Sequence, residues 1–564
     1  MITETRTSPH DLGLRSELRI GSLEGSLGVA SEVDPQTVRA GAPHEDLRDW
    51  LQMVDALGEL RVLEGVDLDD NVGRITEMLQ HTDGAPAVLF DAFPGFERGW
   101  RILVNAQGER RRLAVTLGLP ADISTVDLMD EWERRMDGVV PEPVVMVDDD
   151  PTQAPVTQVV DRGDDVDLGR FPVPMWHPGD GGRYLGTGDC VITKDPDSDW
   201  VNVGTYRVMV HDRNHTGLYI SPGKHGRIHR DKAFERGEPL PAVVLCGMDP
   251  LLFVGSCLEM PPGVNELEWA GGMRGRPIEC IAGRETGLPI PARAEIALEG
   301  FLHPDQLRRE GPFGEWTGYY ATGAQEVPVF EVRTVYRRRD PIILGVPPEK
   351  PPFEAHRFRQ YLRSANLRRE LRRAGVPDVT AAWCHGVGGC RLFNVVAIKQ
   401  RYPGHAVQAG HVAASCRAGA YLGRIVVVVD DDVDVSDLEE VIWAVCTRAD
   451  PDRDFQTFRR AWSGPLDPAI EPVRKGFNSR VIIDATRPWE WRDRFPDPIG
   501  PAPGEKAITR ERWSWLLRDG RRAEGAPGCT DFPAAGDRPP RPTDPRTTDP
   551  RTTDHAPRGA RGAD

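Results

Sequence analysis

The segment WVNVGTYRVMVHDRNHTGLYISP, residues 200–222, predicts β-strands joined by short turns. Its Val, Tyr and Ile residues favour strands, and Asp-Arg-Asn at 212–214 is typical of a turn. Similar runs recur between about residues 155 and 350, namely DCVITKD, LPAVVLCG, IECIAG, AEIALEGFL, VPVFEVRTVYRR and PIILGV. Their spacing, interrupted by Gly, Pro and Asp, predicts an antiparallel barrel or sandwich rather than βαβ units.

Helices and strands alternate on both sides of this strand-rich region. Before it, Leu47, Leu51, Val54 and Leu57 recur at helical spacing, and LRVLEGV, PAVLFDAF and WRILVN predict strands. After it, LRSANLRRELRRAG predicts a helix, while RLFNVVAIKQ and GRIVVVVDDDVDV predict buried strands. The alternation after the barrel region predicts a domain with a parallel sheet.

The segment DLEEVIWAVCTR predicts the last helix of that domain, with Leu438, Val441, Ile442 and Val445 facing inward. The acidic run before this helix suggests a metal site at the end of a strand. The alternative is that its Asp and Ser residues cap the helix. Gly-rich GVGGC at 386–390 does not match a GxGxxG followed by a helix, so a Rossmann nucleotide site is not predicted.

The predicted fold class is therefore multidomain, combining α+β and α/β parts. The predicted parts are a flexible N-terminal arm (1–44), an N-terminal α/β segment (45–154), a β-barrel domain (155–355), a C-terminal α/β domain with a parallel sheet (356–500) and a largely disordered tail (501–564). The tail prediction rests on its richness in Pro, Gly and Arg and on a short direct repeat.

Composition excludes several classes of partner. The formal net charge of -17 argues against nucleic-acid binding, which needs a basic face. The longest aliphatic run, 425–429, is far too short for a membrane span, and the N-terminus does not look like a signal peptide. Nine cysteines without a CxxC pair fit reduced thiols. We therefore predict a cytoplasmic protein with no nucleic-acid and no membrane partner.

Three polar positions suggest a metal site. Asn202 lies in the opening segment, His225 in PGKH, and Glu266 after the turn PPGVN. Each is typical of a surface loop or edge strand when taken alone. His229 follows His225 by four residues, but the glutamate of an HExxH motif is missing. Asn, His and Glu together would form a mixed O/N site suited to Mn²⁺ or Mg²⁺.

Two acids flank a stiff loop in REGPFGEWTGYY, residues 309–320. Glu310 and Glu315 are separated by Gly-Pro-Phe-Gly, which cannot be helical. If the loop curls, the two nearby acids separate their pKa values, and one of them can hold a proton near neutral pH. An arginine beside them, such as Arg207, would keep the other ionised. On a regular strand Arg207 and Asn202 would face opposite sides, so Gly204 must bend the strand or the two must serve different parts of a site.

The order of these segments resembles the UbiD-type decarboxylases, which use prenylated FMN. The resemblance runs from about Asp46 to Arg487. The segments that carry it are DLRDWLQMVDALGELRVLEG, NVGTYR, PGKH, PPGVNELEWAGGMRG, EIALEGF, EGPFGEWTGYY, IKQRYPGH and VVDDDVDVSDLEEVIWAVCTRADP. The order and spacing of these segments together are specific to that family, although no single segment identifies it.

The resemblance implies a set of site residues. Three positions match the divalent-metal ligands of the family, namely Asn202, His225 and Glu266. In that family the metal, together with K⁺, clamps the cofactor phosphate. The positions that match the Glu-Arg-Glu catalytic network are Arg207, Glu310 and Glu315. The positions that match flavin contacts or cofactor proximity are Thr205, Tyr206, Ser256, Cys257, Leu258 and Lys224, with Lys399 as the phosphate-binding lysine.

The resemblance also implies the fold and the reaction. It implies a split β-barrel flavin-binding domain and a C-terminal α/β domain that forms a homodimer, with a higher homo-oligomer left open. The reaction is a reversible non-oxidative decarboxylation of an aromatic, heteroaromatic or α,β-unsaturated acid, through a covalent substrate adduct with prenylated FMN and protonation by Glu315. A flavin prenyltransferase would supply the cofactor. The alternatives are a non-catalytic flavin-binding or assembly protein and a metal-dependent hydrolase.

Overall fold

The computed structural model describes residues 19–28, 33–500, 503–513 and 516. The chain divides into two units, residues 1–492 and 493–564. Within the described residues, no helix combines the length and the apolar composition that a membrane crossing needs.

The first layer of the large unit is an α/β sheet. Its helices and strands are β1 (Arg19–Gly21), α1 (Leu23–Leu27), α2 (Pro35–Arg39), α3 (Leu47–Ala56), β2 (Leu60–Glu64), α4 (Val72–Gln80), β3 (Ala87–Asp91), β4 (Arg101–Val104), α5 (Arg110–Thr116) and α6 (Thr125–Gly138). Helix α3 begins where predicted, because the Asp46 side chain accepts from the backbone N–H groups of Arg48 and Asp49. Leu47 and Leu51 are fully buried, as the helical spacing predicts.

The described part of the predicted N-terminal arm is not loose. Strand β1 pairs antiparallel with β2, and Ser26 donates to the Asp91 carboxylate at 2.5 Å. These contacts build residues 19–28 into the first layer, so the expectation of a flexible arm is wrong for them. Residues 1–18 and 29–32 lie outside the described residues.

The central part of the unit is the predicted antiparallel β-structure. Its elements are β5 (Val145–Met146), β6 (Val159–Arg162), β7 (Tyr184–Gly186), β8 (Cys190–Lys194), β9 (Val201–Gly204), β10 (Arg207–Val210), β11 (His215–Tyr219), α7 (His225–Glu235), β12 (Leu240–Leu245), α8 (Pro250–Ser256), α9 (Glu266–Arg274), β13 (Glu279–Ala282), β14 (Pro289–Pro291), β15 (Ile296–Glu310) and β16 (Gln325–Arg337). The main sheet has the order β7-β10-β11-β16-β15-β12-β8-β9, with β6 paired to β16.

This strand order forces the sheet to curl. Strand β9 is at one end of the order and β10 is next to the other end, yet only Thr205 and Tyr206 separate them in the chain. The Cα atoms of Gly204 and Arg207 are three residues apart and so lie within about 11 Å of each other, which brings the two ends of the sheet together. The result is a barrel that is split at Thr205–Tyr206. On one regular strand Asn202 and Arg207 would face opposite sides. The split removes this restriction, because the chain passes from one edge of the sheet to the other between these two residues.

Two strands grouped by sequence with the barrel belong elsewhere. Strand β13, which contains most of IECIAG, pairs with β14 and β5 in a separate three-stranded sheet. Strand β17 (Ile342–Gly345) pairs parallel with β4 and completes the N-terminal sheet in the order β1-β2-β3-β4-β17. The sequence cannot show this, because a short buried apolar strand suits a barrel and a parallel sheet equally well.

The C-terminal part is an α/β domain with a parallel centre, as predicted. Its elements are α10 (Glu354–Arg373), β18 (Val379–Cys384), β19 (Phe393–Ile398), α11 (His405–Ser415), α12 (Arg417–Ala420), β20 (Ile425–Asp430), α13 (Leu438–Arg448), β21 (Phe455–Trp462) and β22 (Phe477–Ala485). The sheet order is β18-β19-β20-β22-β21, with parallel pairing of β19 to β20 and of β20 to β22. The second unit contains α14 (Pro503–Trp513).

Helix α13 confirms the capping interpretation and corrects its predicted inner face. Asp437 accepts from Glu439 N at 2.9 Å and Glu440 N at 3.2 Å. Val441 is fully buried, but Ile442 is 45% exposed. The prediction that Ile442 faces inward is therefore wrong, because the helix turns Val441, Ala444 and Arg448 towards the sheet instead.

One apolar cluster contains residues from all three parts of the large unit. Trp132 of the first layer contacts Trp269 of α9, with ring centroids 6.2 Å apart. Phe253 of α8 contacts Phe358 of α10 at 6.1 Å. Buried aromatic pairs of this kind fix the segments that carry the polar site, because close-packed cores resist displacement.

Candidate functional site

The segment 309–320 brings its two glutamates to one arginine. Arg207 Nε and Nη2 donate to the two carboxylate oxygens of Glu310, each at 2.8 Å, and Arg207 Nη1 donates to Glu315 Oε1. Glu310 is fully buried and Glu315 is 7% exposed. The bidentate pair fixes the plane of the guanidinium group, because both parallel hydrogen bonds must form together. Arg207 therefore holds both acids in fixed positions.

Two aromatic residues complete this group. The Tyr184 hydroxyl donates to Glu310 Oε1 at 2.7 Å, and the Arg207 guanidinium lies 4.3 Å from the centroid of the Tyr219 ring. Sequence reasoning missed both tyrosines. Tyr219 is the register partner of Arg207 across β10 and β11, so a correct strand pairing would have found it. No motif pointed to Tyr184.

The loop between the glutamates is held on one side by the segment 177–181. Asp180 is a buried carboxylate that accepts from Gly314 N at 3.3 Å, and Gly181 N donates to Pro312 O at 2.7 Å. His177 bridges Asp180 Oδ2 at 3.1 Å and Glu349 Oε1 at 2.9 Å. This acid–histidine–acid bridge ties the loop to the segment before α10, and sequence reasoning missed it as well.

Burial sets the protonation of this group. Burial and the nearby Glu310 charge raise the pKa of Glu315 to about 7, against the opposing effect of Arg207. Burial lowers the pKa of Arg207, but the Glu315 and Glu310 carboxylates outweigh it and raise that pKa above its ordinary value. Glu315 can therefore gain or lose a proton near neutral pH while Arg207 keeps its charge.

The three candidate metal ligands also lie close together. Glu266 Oε2 accepts from the backbone N–H of Val203, next to Asn202, at 2.7 Å. Tyr206 follows Asn202 by four residues, and its hydroxyl accepts from Gly226 N, next to His225, at 3.2 Å. The structure thus connects Asn202, His225 and Glu266 through one tyrosine and one short strand.

The chemistry of this donor set fits a hard divalent cation. Glu266 is 2% exposed, and burial raises its pKa to about 7, with no cation among the described residues that compensates its charge. Asn202 Nδ2 is buried and has no hydrogen-bond partner in the described part of the chain. Within the described ranges no group of three His, Cys, Asp or Glu is arranged for a metal, so the amide of Asn202 would have to be the third ligand. An uncompensated buried carboxylate beside an amide and an imidazole suits Mn²⁺ or Mg²⁺.

The candidate flavin contacts lie along the split of the barrel. Thr205 Oγ1 is 2.7 Å from Ser256 Oγ and 3.5 Å from Cys257 Sγ. Ser256 is the last residue of α8, and Leu258 N donates to Gly255 O at 3.0 Å in the turn that follows. The segments Thr205–Tyr206 and Ser256–Leu258 therefore adjoin at the split of the barrel, which is called the slit below.

The two predicted lysines have different positions. Lys224 precedes His225 at the start of α7, and burial together with Arg391, Arg359 and Arg363 lowers its pKa despite Glu259. Lys399 is exposed beyond the end of β19, where its backbone N–H donates to Asp378 O. Strand β19 is six residues long, so its two ends are about 20 Å apart. The structure does not bring Lys399 to the site, whereas Arg391, before the other end of β19, lies near Lys224.

Comparison with known proteins identifies the family. Residues 51–132, 148–351 and 356–485 match the N-terminal, Rift-related and C-terminal domains described as 3-octaprenyl-4-hydroxybenzoate carboxy-lyase. An uncharacterised protein of Aquifex aeolicus is 31% identical over 505 residues, which cover 84% of this chain and 99% of the relative. The chain belongs to the UbiD family, whose members are decarboxylases.

Solved structures agree with this assignment. The vanillic acid decarboxylase of Sedimentibacter hydroxybenzoicus in an open form, with a truncated second component, is 29% identical, covers 84% of this chain and 100% of that chain, and has a TM-score of 0.73. An evolved dimeric form of the UbiD-class enzyme HmfF of Pelotomaculum thermopropionicum, in complex with prFMN, is 28% identical, covers 82% and 99%, and has a TM-score of 0.70. The predicted family and multidomain fold are confirmed.

Proposed function

We propose that this chain catalyses the reversible, non-oxidative decarboxylation of an aromatic, heteroaromatic or α,β-unsaturated carboxylic acid. The observation that supports this most is Arg207 held between Glu310 and Glu315 at the end of the barrel slit. A protein that only bound a flavin, or only assembled with others, would not need a buried carboxyl group poised to exchange a proton near neutral pH.

Glu315 is the proton carrier in this proposal. In the direction of decarboxylation its protonated carboxyl group delivers a proton to the carbon that has lost carbon dioxide, and in the reverse direction its carboxylate takes that proton back. Arg207 has five N–H donors, and three of them are used by the two glutamates. The remaining two can orient the substrate carboxylate. Glu310, which accepts three hydrogen bonds, holds Arg207 in place.

The slit has the composition that a flavin and its phosphate need. Thr205, Tyr206, Ser256, Cys257 and Leu258 would contact the flavin. Asn202, His225 and Glu266 would hold a divalent metal, with Lys224 beside them, so that the metal and a K⁺ ion clamp the phosphate. When bound, prenylated FMN supplies the electrophile that takes the electron pair released with carbon dioxide.

The proposed partners follow from this reaction. A flavin prenyltransferase would supply the cofactor in the cytoplasm, the substrate would be a small carboxylic acid, and the C-terminal domain of residues 356–500 would form a homodimer. The dimeric relative with bound prFMN supports the cofactor and the dimer.

The test is production of the chain together with a flavin prenyltransferase. We expect a bound cofactor with the mass of prenylated FMN, and release of carbon dioxide from at least one acid of a broad aromatic and unsaturated panel. Glu315→Gln should lower turnover roughly 10²- to 10⁴-fold, because the positioned proton donor is lost. The control is Glu326→Gln, at an exposed glutamate on β16. Loaded wild-type protein that is inert towards the whole panel would contradict the proposal, as would full activity of Glu315→Gln.

A further inference from the structure

The loop that carries the proposed proton carrier is held between two other segments of the chain. We call residues 311–318, which include Glu315, the Glu315 loop. On one side it is bound to the segment 177–181 by the two hydrogen bonds described above. On the other side lies the linker 346–353, which joins β17 to α10 and so leads into the C-terminal domain.

The linker packs closely against the Glu315 loop on both sides of the glutamate. A Cβ atom on Gly318, whose φ is +81°, would lie 3.0 Å from Lys350 Cα. A Cβ atom on Gly314 would lie 3.4 Å from Pro348 O. Backbone therefore lies against backbone at both positions. A displacement of the linker must move the Glu315 loop as well, because close-packed groups transmit displacements.

His177 joins the loop, its neighbouring segment and the linker at one point. Its Nδ1 atom lies 3.1 Å from Asp180 Oδ2, and its Nε2 atom lies 2.9 Å from Glu349 Oε1 of the linker. The side chains of His177, Asp180 and Glu349 are 17%, 0% and 6% exposed. A Cβ atom on Gly314 would lie 3.5 Å from His177 Nδ1, so the imidazole also borders the Glu315 loop.

The charges of this bridge resist its opening. Burial lowers the pKa of His177, but Asp180 and Glu349 outweigh burial and raise that pKa to about 10. The imidazole is therefore a cation at neutral pH, flanked by two buried carboxylates. Separating the linker from His177 would leave the Glu349 carboxylate without its cation, which is costly for a buried charge.

The protonation of Glu315 depends on the position of its loop. Burial is the largest of the effects that raise the pKa of Glu315 to about 7. The charged and titratable groups of the described residues that interact with this carboxyl group are Arg207 on β10, Glu310 on β15 and Tyr421. A loop that moved away from the linker would expose the carboxyl group to water. Its pKa would then fall towards the ordinary value of 4.5, and the group would be ionised at neutral pH.

We propose that His177 is a positioning residue that, together with Glu349, fastens the linker to the Glu315 loop and so keeps the proton carrier buried beside Arg207. This inference rests on the proposed decarboxylase function. His177 gives no proton to the substrate and acts through the backbone of the loop. The start of the C-terminal domain and the proton carrier are thereby coupled.

Three backbone amides report on the position of the Glu315 loop. Gly314 N donates to Asp180 Oδ1 at 3.3 Å, Glu315 N donates to Tyr319 O at 3.0 Å, and Gly318 N donates to Glu315 O at 2.7 Å. A hydrogen-bonded amide exchanges with solvent when its segment opens, so the exchange rate measures how often the loop leaves this position.

The first test is therefore hydrogen exchange of residues 311–320 in the full-length chain, which needs no turnover. Glu349→Leu removes the linker arm of the bridge, and His177→Leu removes both arms. We expect exchange in this segment to be roughly tenfold faster or more in both variants. The control is His303→Leu, whose histidine on β15 pairs with Glu331 at 2.9 Å. If His177→Leu does not fold, Glu349→Leu decides alone.

The second test separates positioning from a merely structural role, and it uses cofactor-loaded enzyme with an acid that the wild type decarboxylates. In Glu349→Leu, kcat at pH 7 should fall roughly 10- to 100-fold, because the proton carrier is displaced, while KM and the bound flavin stay unchanged. The pH at which kcat is half-maximal should fall by about one unit or more, because Glu315 is less buried. A loss of stability alone would leave that pH unchanged.

The opposite outcomes are equally clear. Unchanged exchange in Glu349→Leu overturns the inference, as does faster exchange with an unchanged pH midpoint. Loss of flavin from Glu349→Leu, measured by absorbance after purification, would show that the bridge supports the slit instead, and it also overturns the inference. These three results leave the decarboxylase proposal intact. If no acid releases carbon dioxide, that proposal fails and the role of the bridge in proton transfer fails with it, whereas the exchange result stands by itself.

Discussion

Two buried glutamates at opposite ends of the slit reach a pKa of about 7 in different surroundings. Glu315 shares Arg207 with a second carboxylate, so burial and the Glu310 charge oppose a cation that is already present. Glu266 has only burial and backbone N–H groups acting on it, with no cation from the described residues. The same pKa thus indicates different chemistry. Glu315 is suited to move a proton, and Glu266 to receive a cation.

The largest expected effect concerns the end of the slit where Arg207 compensates the charges of the buried glutamates. Arg207→Met leaves Glu310 buried without its cation, and breaking a buried ion pair from one side typically costs about 3–5 kcal/mol. We expect a loss of this size in the free energy of unfolding, measured with urea at pH 7.5. The control is Arg333→Met, whose arginine on β16 is half exposed and pairs with Glu331. An Arg207→Met variant as stable as the control would show that Glu310 does not depend on Arg207.

The next expected effect is a gain in stability rather than a loss, and it concerns Glu266 at the other end of the slit. Glu266→Gln removes a buried charge that no cation among the described residues compensates, and the rise of the Glu266 pKa from 4.5 to about 7 corresponds to about 3 kcal/mol. Metal-free protein at pH 8 should therefore become more stable by about 3 kcal/mol. The same variant should lose Mn²⁺ binding in calorimetry. Destabilisation of the metal-free protein, or unchanged Mn²⁺ affinity, would remove the contrast between the two ends.

The smallest effect is the pH dependence of turnover. Glu315 must be protonated to donate, so kcat should be constant below pH 7 and fall about tenfold per unit above it. Stability should follow the same direction. Because the folded pKa of Glu315 lies above its ordinary value of 4.5, the folded state holds the extra proton between about pH 4.5 and 7. The contribution of Glu315 to stability therefore falls as the pH rises through that window. A rate that rises above pH 7 would assign the proton to another group.

The sequence predicted the site best where a motif supplies several contacts at once. Arg207, Glu310 and Glu315 come from two segments, and the structure brings both to one point. Lys399 shows the limit of this reasoning, since it lies at the wrong end of β19 and cations from α10 and the turn before that strand stand near Lys224 instead. The functional roles of all these residues stay predictions.

The sequence predicted less well which sheet a single strand joins and which face of a helix is buried. Strand β17 follows the barrel strands in the chain but pairs with β4, because pairing depends on which edge is free and not on order. Ile442 fits an inward helical stripe, yet the sheet under α13 contacts Val441 and Ala444. In both cases the local pattern allows two answers of similar free energy, and tertiary packing chooses between them.

The sequence by itself determined the family, the antiparallel barrel, the C-terminal parallel sheet and the residue types of the candidate site, because these follow from periodicity and from motifs in a fixed order. Only the tertiary structure decided where the barrel splits, and which tyrosines and which acid–histidine–acid bridge support the Glu-Arg-Glu group. The physical reason is that burial and charge compensation depend on neighbours that are distant in the chain. A buried carboxylate takes its pKa from these neighbours and not from its own motif.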